Sequence, residues 1–215
     1  MYNDTPLCSF LISSLKRPMK LWRCLDSIIR ASKPGNHYEI ICRLNYHDPE
    51  SFAVVLPFYD RCVMSTITTW PLDGYISLAV FYDQLTRLAR GRWVWVLGDD
   101  MELQGGQGWE DWLEKVPTTG VIVQPETHQL NTSGYHHDTN GPCPCIPNQC
   151  WKPFGPMIGH PWDRCIYGLL LDQCGWQTDF IPGMTLWHDN GATQANIDAR
   201  EREAVSDRLL KYVHP

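Results

Sequence analysis

Two carboxylates stand side by side at Asp99 and Asp100, directly after the apolar run Trp93 to Leu97 (WVWVL) and Gly98. Adjacent like charges at the end of a buried strand repel each other. A fold carries them best where a divalent cation or a cationic substrate neutralises them, and the plain alternative is an Asp that caps the next turn. The residues that follow, with Gly105, Gly106 and Gly108 ahead of Trp109-Glu110-Asp111-Trp112, are flexible and then aromatic, which favours a site over a cap. A second cluster, His136, His137, Asp138, Cys143, Cys145 and Cys150, holds the donor types that structural Zn2+ prefers. Its spacing, a single Cys-x-Cys with a third Cys five residues on, matches no standard zinc motif and reads more readily as reduced loop thiols than as a structural zinc site.

The elements that must position the acid pair are legible from periodicity. Residues 8 to 15 (CSFLISSL) form an apolar strand that stops at Lys16-Arg17-Pro18. Leu21, Leu25, Ile28 and Ile29 recur at helical spacing until Pro34-Gly35, and Tyr38 to Leu44 (YEIICRL) reads as a second strand closing into Asn45-Tyr46-His47-Asp48-Pro49. A third strand is expected at Cys62 to Thr68, then a helix with Leu78, Phe81, Tyr82, Leu85 and Leu88 on one face, stopped by Gly91. The strand Trp93 to Leu97 is apolar at every position, as a central strand covered on both faces should be. After the strand Gly120 to Pro125 the pattern breaks into a long loop, 126–161, rich in Gly, Pro, Asn and His. Regularity returns with a helix near Asp163 to Cys174, a strand near Thr178 to Leu186 and an amphipathic helix from about Ile197 to Tyr212. Such alternation implies an α/β domain with a mostly parallel central sheet flanked by helices, whose ligands bind beyond the carboxyl ends of the strands.

At 215 residues the chain suits one domain of two halves, 1–101, which ends just past the acid pair, and 102–215, which contains the long loop. A formal charge of -6 offers no general attraction for nucleic acid or an anionic membrane, although a local basic patch is compatible with it. No segment has the length and apolarity of a membrane span or a signal sequence. Nine cysteines is an odd number, and Cys8, Cys24, Cys42 and Cys62 lie in apolar surroundings typical of reduced core thiols, so a cytoplasmic protein is expected. Several of the ten tryptophans are expected in the core or along a cleft, and Trp151, Trp162 and Trp176 lie around the long loop.

The order of segments resembles the GT-A glycosyltransferases, especially compact inverting members of bacteria and their phages, over nearly the whole chain. The resemblance is carried by Ser13-Ser14-Leu15-Lys16-Arg17-Pro18 after the first strand, by Asn45 to Asp48 after the second, by Gly74-Tyr75-Ile76-Ser77-Leu78 through Ala89-Arg90-Gly91-Arg92-Trp93, and by the acidic pair. It implies that Asn45 and Asp48 lie near the nucleotide base, that Asp99 contacts the ribose or phosphate side, and that Asp100 binds Mn2+ or Mg2+. A strict Asp-x-Asp motif would place an acid where Met101 stands, so the two roles can be exchanged and Glu102 can contribute. The resemblance further implies an acceptor-side base at Asp163, whose segment closes at Gly175, with Asp172 in reserve. It also implies a metal ligand at His188 in Leu186-Trp187-His188-Asp189-Asn190. An imidazole tilts the choice of metal towards manganese.

The expected chemistry is transfer of a sugar from a nucleotide-diphosphate donor to a hydroxyl acceptor with inversion. The metal stabilises the departing diphosphate, Asp163 activates the hydroxyl, and Arg17 or Lys16 steadies the donor. The acceptor is a glycan or a hydroxymethylated base in phage DNA. Two rival readings use the same residues: a nucleotidyltransferase, against which the lack of glycines in Ser13 to Pro18 speaks, and a non-catalytic sugar-binding protein.

Overall fold

The computed structural model describes residues 5–35, 37–69, 78–130, 134–136, 144–151, 170–171 and 174–189. β1 (Cys8–Ser13), α1 (Pro18–Ala31) and β2 (Tyr38–Asn45) form the opening β-α-β unit, with the two strands parallel. α1 starts where Pro18 supplies a fixed helical φ at no hydrogen-bond cost, and it buries Leu21, Cys24, Leu25 and Ile28, a stripe at the 3.6-residue period. α2 (Pro49–Val55) is a helix that the sequence pattern concealed in what read as a loop; Asp48 is its N-cap, accepting from the Ser51 N–H. A 3-10 turn (Leu56–Phe58) leads into β3 (Val63–Thr69), which pairs parallel with β2.

α3 (Leu78–Leu88) then feeds β4 (Trp93–Gly98), parallel to β1. Leu88, expected on the buried face of that helix, is exposed, and Tyr82 and Leu85 do the packing. The phenolic O–H of Tyr82 donates to the carbonyl of Leu97 at 2.9 Å and so ties the helix to the end of β4. β5 (Met101–Gly105) and α4 (Trp109–Leu113) follow at once, then β6 (Val121–Leu130), β7 (Gly134–His136), β8 (Cys145–Pro147), α5 (Asn148–Trp151) and β9 (Gln177–His188). The strand after Gly120 thus runs past Pro125 to Leu130, and the expected loop 126–161 carries three pieces of strand and a helical turn among its described residues. The helices expected near 163–174 and 197–212 fall largely or wholly outside the described residues.

The α/β class is as expected. Among the described residues the strands join in one mixed sheet of order β3-β2-β1-β4-β8-β6-β9-β5, with β7 added to β6. The first four strands are parallel; β8 enters antiparallel to β4, and β5 antiparallel to β9 at the far edge. Alternate residues of each central strand feed opposite faces: Phe10, Ile12 and Trp95 pack with α1 and Trp109, whereas Leu11, Val94 and Val96 pack with Tyr82 and Leu85. Phe10 stacks on Trp95 with ring centroids 5.4 Å apart and meets Trp109 edge-on, a fully buried aromatic set whose truncation typically costs about 3 to 5 kcal/mol per ring. Trp93, Trp95 and Trp109 accordingly belong to the core. Among the described residues no helix is long and apolar enough to cross a membrane.

Candidate active site

The carboxyl ends of β1, β4 and β9 converge on the acid pair. β4 ends at Gly98, the chain turns through Asp99 and Asp100, and β5 departs antiparallel to β9 with Met101 opposite His188. A backbone bond from the Asp189 N–H to the Asp100 carbonyl, 2.9 Å, closes that corner. Three segments distant in sequence thereby deliver Ser14 and Arg17, the aspartates and His188 to one place.

Asp99 is fully buried. Its carboxylate accepts from Ser14 Oγ at 2.6 Å and from Arg17 Nε at 3.0 Å, and Arg17 Nη2 lies against its other oxygen. Burial pushes its pKa up to about 6, against the opposing pull of Arg17 and Ser14. Asp100 is more open and takes Arg17 Nη1 at 3.2 Å on one oxygen, while its other oxygen lies 3.6 Å from His188 Nε2. Burial pulls His188 below the ordinary imidazole range, although Asp100 and Asp189 pull the other way, so the neutral ring with a free lone pair is favoured at neutral pH. Asp189 is held by Lys20 Nζ at 3.2 Å.

Arg17 reaches the pair because the chain bends sharply just before it. Lys16 adopts φ 52°, a left-handed conformation that costs a non-glycine residue about 1 to 2 kcal/mol. The bend is fixed by Asp48, whose Oδ2 accepts from the Lys16 N–H at 2.7 Å and from Ser51 Oγ at 2.7 Å. With Oδ1 engaged by the Ser51 N–H, Asp48 is buried and fully occupied in joining the two turns. Asn45 lies at the end of β2 with its Oδ1 on the His47 N–H, beside the exposed ring of Tyr46.

The residues sort into three groups. Arg17, Asp99, Asp100 and His188 are brought together. Asn45 and Asp48 sit on the adjoining strand end and turn. Asp163, Asp172 and Trp162 lie outside the described residues, and Trp176 is half-buried against the Leu11 and Tyr82 side of the core. Two residues escaped sequence reasoning. Ser14 was visible as a polar residue closing an apolar strand. His128, on β6, stacks on His188 with ring centroids 5.7 Å apart and planes 26° from parallel. Nothing in its neighbourhood of sequence marks it, since the contact is made by strand pairing alone.

Asp100 and His188 suit a divalent cation. Two donors each about 2.1 Å from one ion stand roughly 3 to 3.5 Å apart, close to their observed 3.6 Å, and a carboxylate with a neutral imidazole is a donor set that manganese accepts. Among the described residues no three His, Cys, Asp or Glu side chains gather into a complete cage, so such an ion draws its other ligands from substrate or water. Of the expected zinc cluster, Cys145 is buried in β8 beside Cys8 and the half-buried Cys150 packs against the other core cluster, while His137, Asp138, Cys143 and the side chain of His136 lie outside the described residues. Cys8, Cys24, Cys42 and Cys62 are free thiols, the first three buried and Cys62 half-buried.

No family model matches the chain, and no curated protein does. Solved structures do. TarS of S. aureus superposes with a TM-score of 0.69 at 6% identity over 94% of this chain. The mannosyltransferase PcManGT of Pyrobaculum calidifontis, solved with GDP-Man and Mn2+, gives 0.65 at 11% identity over 97%. GalNAc-T7, solved with UDP, GalNAc and Mn2+, gives 0.64 at 12% over 97%. The chain spans 38%, 64% and 50% of these three proteins respectively, under two thirds of each. At such identities the likeness shows the fold, which is that of the GT-A-type glycosyltransferases.

Proposed function

We propose that this chain is a metal-dependent glycosyltransferase that moves a sugar from a nucleotide-diphosphate donor to a hydroxyl acceptor with inversion. The observation that carries the reading is the meeting of Asp100 and His188, 3.6 Å apart, at the carboxyl end of the central strand, where a GT-A-type fold offers its ligand crevice.

A bound Mn2+ or Mg2+ would supply positive charge against the diphosphate as it leaves. Asp100 and His188 hold that position, and His188 does so as the neutral ring that its burial favours. Arg17 balances the two aspartates and presents a planar guanidinium to the donor diphosphate. Asp99, fully buried and held by Ser14 and Arg17, acts on the ribose or phosphate side of the donor through the Arg17 guanidinium it orients, and Asn45 and the exposed ring of Tyr46 border the base. Asp48 acts at one remove by fixing the Lys16 bend that aims Arg17. Asp163 takes the acceptor proton as oxygen attacks the anomeric carbon. The acceptor is a glycan hydroxyl or the hydroxymethyl group of a modified DNA base, and the protein works in the cytoplasm, where its free thiols stay reduced.

The test is a thermal-shift panel of UDP, GDP and other nucleoside diphosphates with and without Mn2+. A ligand at a hundred times its Kd adds about 2.7 kcal/mol to the folded state, a shift of several degrees. Asp100→Ala is expected to abolish the metal-dependent part of the shift. Asp163→Ala is expected to keep it and to lose release of the nucleoside diphosphate from sugar donors at least a hundredfold. Turnover by Asp163→Ala at the unaltered rate removes the base assignment, and a panel without any shift removes the transferase reading. Gel shifts with hydroxymethylated and plain DNA separate the acceptors, since a glycan-directed enzyme retards neither.

A further inference from the structure

The structure assigns to His128 the role of positioning residue for His188, holding that imidazole in a cation-binding orientation by ring stacking where other proteins use a hydrogen bond. The inference rests on the reading of Asp100 and His188 as ligands of a divalent cation. A metal-bound histidine almost always gives its second ring nitrogen to a carboxylate, a carbonyl or a water, which fixes both tautomer and ring plane. In this chain Nδ1 of His188 is buried and has no hydrogen-bond partner among the described residues, while Nε2 is the nitrogen that faces Asp100. The plane of the ring must therefore be fixed by packing. The flat neighbour is His128, at 5.7 Å between centroids and 26° between planes.

The strand geometry that produces the stack is specific. β6 and β9 run parallel, with His128 opposite Leu186 and Leu130 opposite His188, so His128 and His188 lie on one face as diagonal neighbours. Below them the register shifts. Pro125 stands opposite Ile181 but Thr127 opposite Thr185, so β9 spends two more residues than β6 over the same stretch, at Pro182-Gly183. This bulge is pinned by Glu126, whose Oε2 accepts from the Gly183 N–H at 2.6 Å, and Gly183 takes φ 67°. A bulge re-aims the side chains beyond it, and if the register of Val121–Pro125 continued without the shift, His128 would stand opposite Met184 and its diagonal partner would be Leu186 instead of His188.

Two measurements test the role. In the metal-free chain, NMR should find the ring protons of His188 shifted upfield by the ring current of its neighbour. His128→Ala should abolish that shift and His128→Phe should keep it. Mn2+ is then titrated, alone and with UDP or GDP, with water-proton relaxation as readout. His188→Ala should lose uptake, His128→Ala should weaken it about tenfold or more, and His128→Phe should restore it to within about threefold of the unaltered chain. His128→Ala with unaltered Mn2+ affinity, or His128→Phe as weak as His128→Ala, overturns the positioning role while the cation reading stands. No uptake by the unaltered chain under any of the three conditions overturns the cation reading, and the role of His128 with it. An upfield shift that survives in His128→Ala shows that another group orients the ring, and also overturns it.

Discussion

Asp99 holds a carboxylate in a dry place, and that has a consequence for how stability depends on pH. Its pKa rises from 3.8 to about 6 on folding, chiefly because burial disfavours the charged form. Between those two values the folded chain binds more protons than the unfolded one, so stability falls as pH rises through this window and levels off above it. That rise corresponds to about 2 to 3 kcal/mol for a fully buried group. Urea midpoints of the chelator-treated chain from pH 4 to 7 should therefore decline more steeply in the unaltered protein than in Asp99→Asn, which keeps the shape of the side chain and cannot ionise. Parallel profiles for the two would mean that Asp99 is charged throughout and that Arg17 and Ser14 compensate its burial fully.

Gly91 just before β4 and Gly98 at its end are glycines for different reasons, and the difference predicts opposite outcomes. A Cβ on Gly91 would meet the backbone N of Ser9 at 2.5 Å and the carbonyl carbon of Cys8 at 2.7 Å, atoms fixed by the β1 ladder. A Cβ on Gly98 would meet Asp100 Oδ1 at 2.6 Å, the movable end of a side chain. Gly91→Ala should cost about 1 to 3 kcal/mol in urea unfolding, as overpacking does. Gly98→Ala should unfold close to the unaltered midpoint and lose the Mn2+-dependent part of its thermal shift, because the oxygen nearest His188 is the one displaced. Loss of stability in Gly98→Ala with metal response intact would show that Asp100 does not depend on the strand end for its aim. The same elements show what a single sequence reveals. β1, α1, β2, α3 and β4 are short-range patterns of period 2 or 3.6, and they lead directly to Asp99 and Asp100. β5 was hidden because five residues after a turn carry too little periodicity, and α2 because its cap, Asp48, sits in what reads as a polar turn. His128 is invisible for a different reason, since only the β6–β9 register brings it to His188.

At the scale of the molecule, the acid pair is the hinge of the topology. The parallel strands β3, β2, β1 and β4 form one wing of the sheet, and β8, β6, β9 and β5 form the other. β8 joins the wings through three residue pairs with β4 and one with β6, whereas β6 and β9 are bound to each other along most of their length. On the far side the link is the chain itself, passing from β4 through Asp99 and Asp100 into β5, with the Asp189–Asp100 backbone bond and the Lys20–Asp189 ion pair tying the end of β9 back to α1. A cation shared by Asp100 and His188 would add a link at the site to the packing and hydrogen bonds by which α1 already holds β5 and α4. Ligand binding raises the free energy of opening for those segments that must release the ligand in order to exchange. Hydrogen exchange in the presence of Mn2+ and a nucleoside diphosphate should therefore slow at residues 101–105 and 184–189 as well as at the β1–α1 turn, with the β2–β3 edge beyond the site changing least. In Asp100→Ala the effect on 184–189 should vanish while any protection of the β1–α1 turn by the nucleotide persists. Protection confined to the first wing in the unaltered chain would mean that the donor binds without His188, and that the two wings are coupled by packing alone.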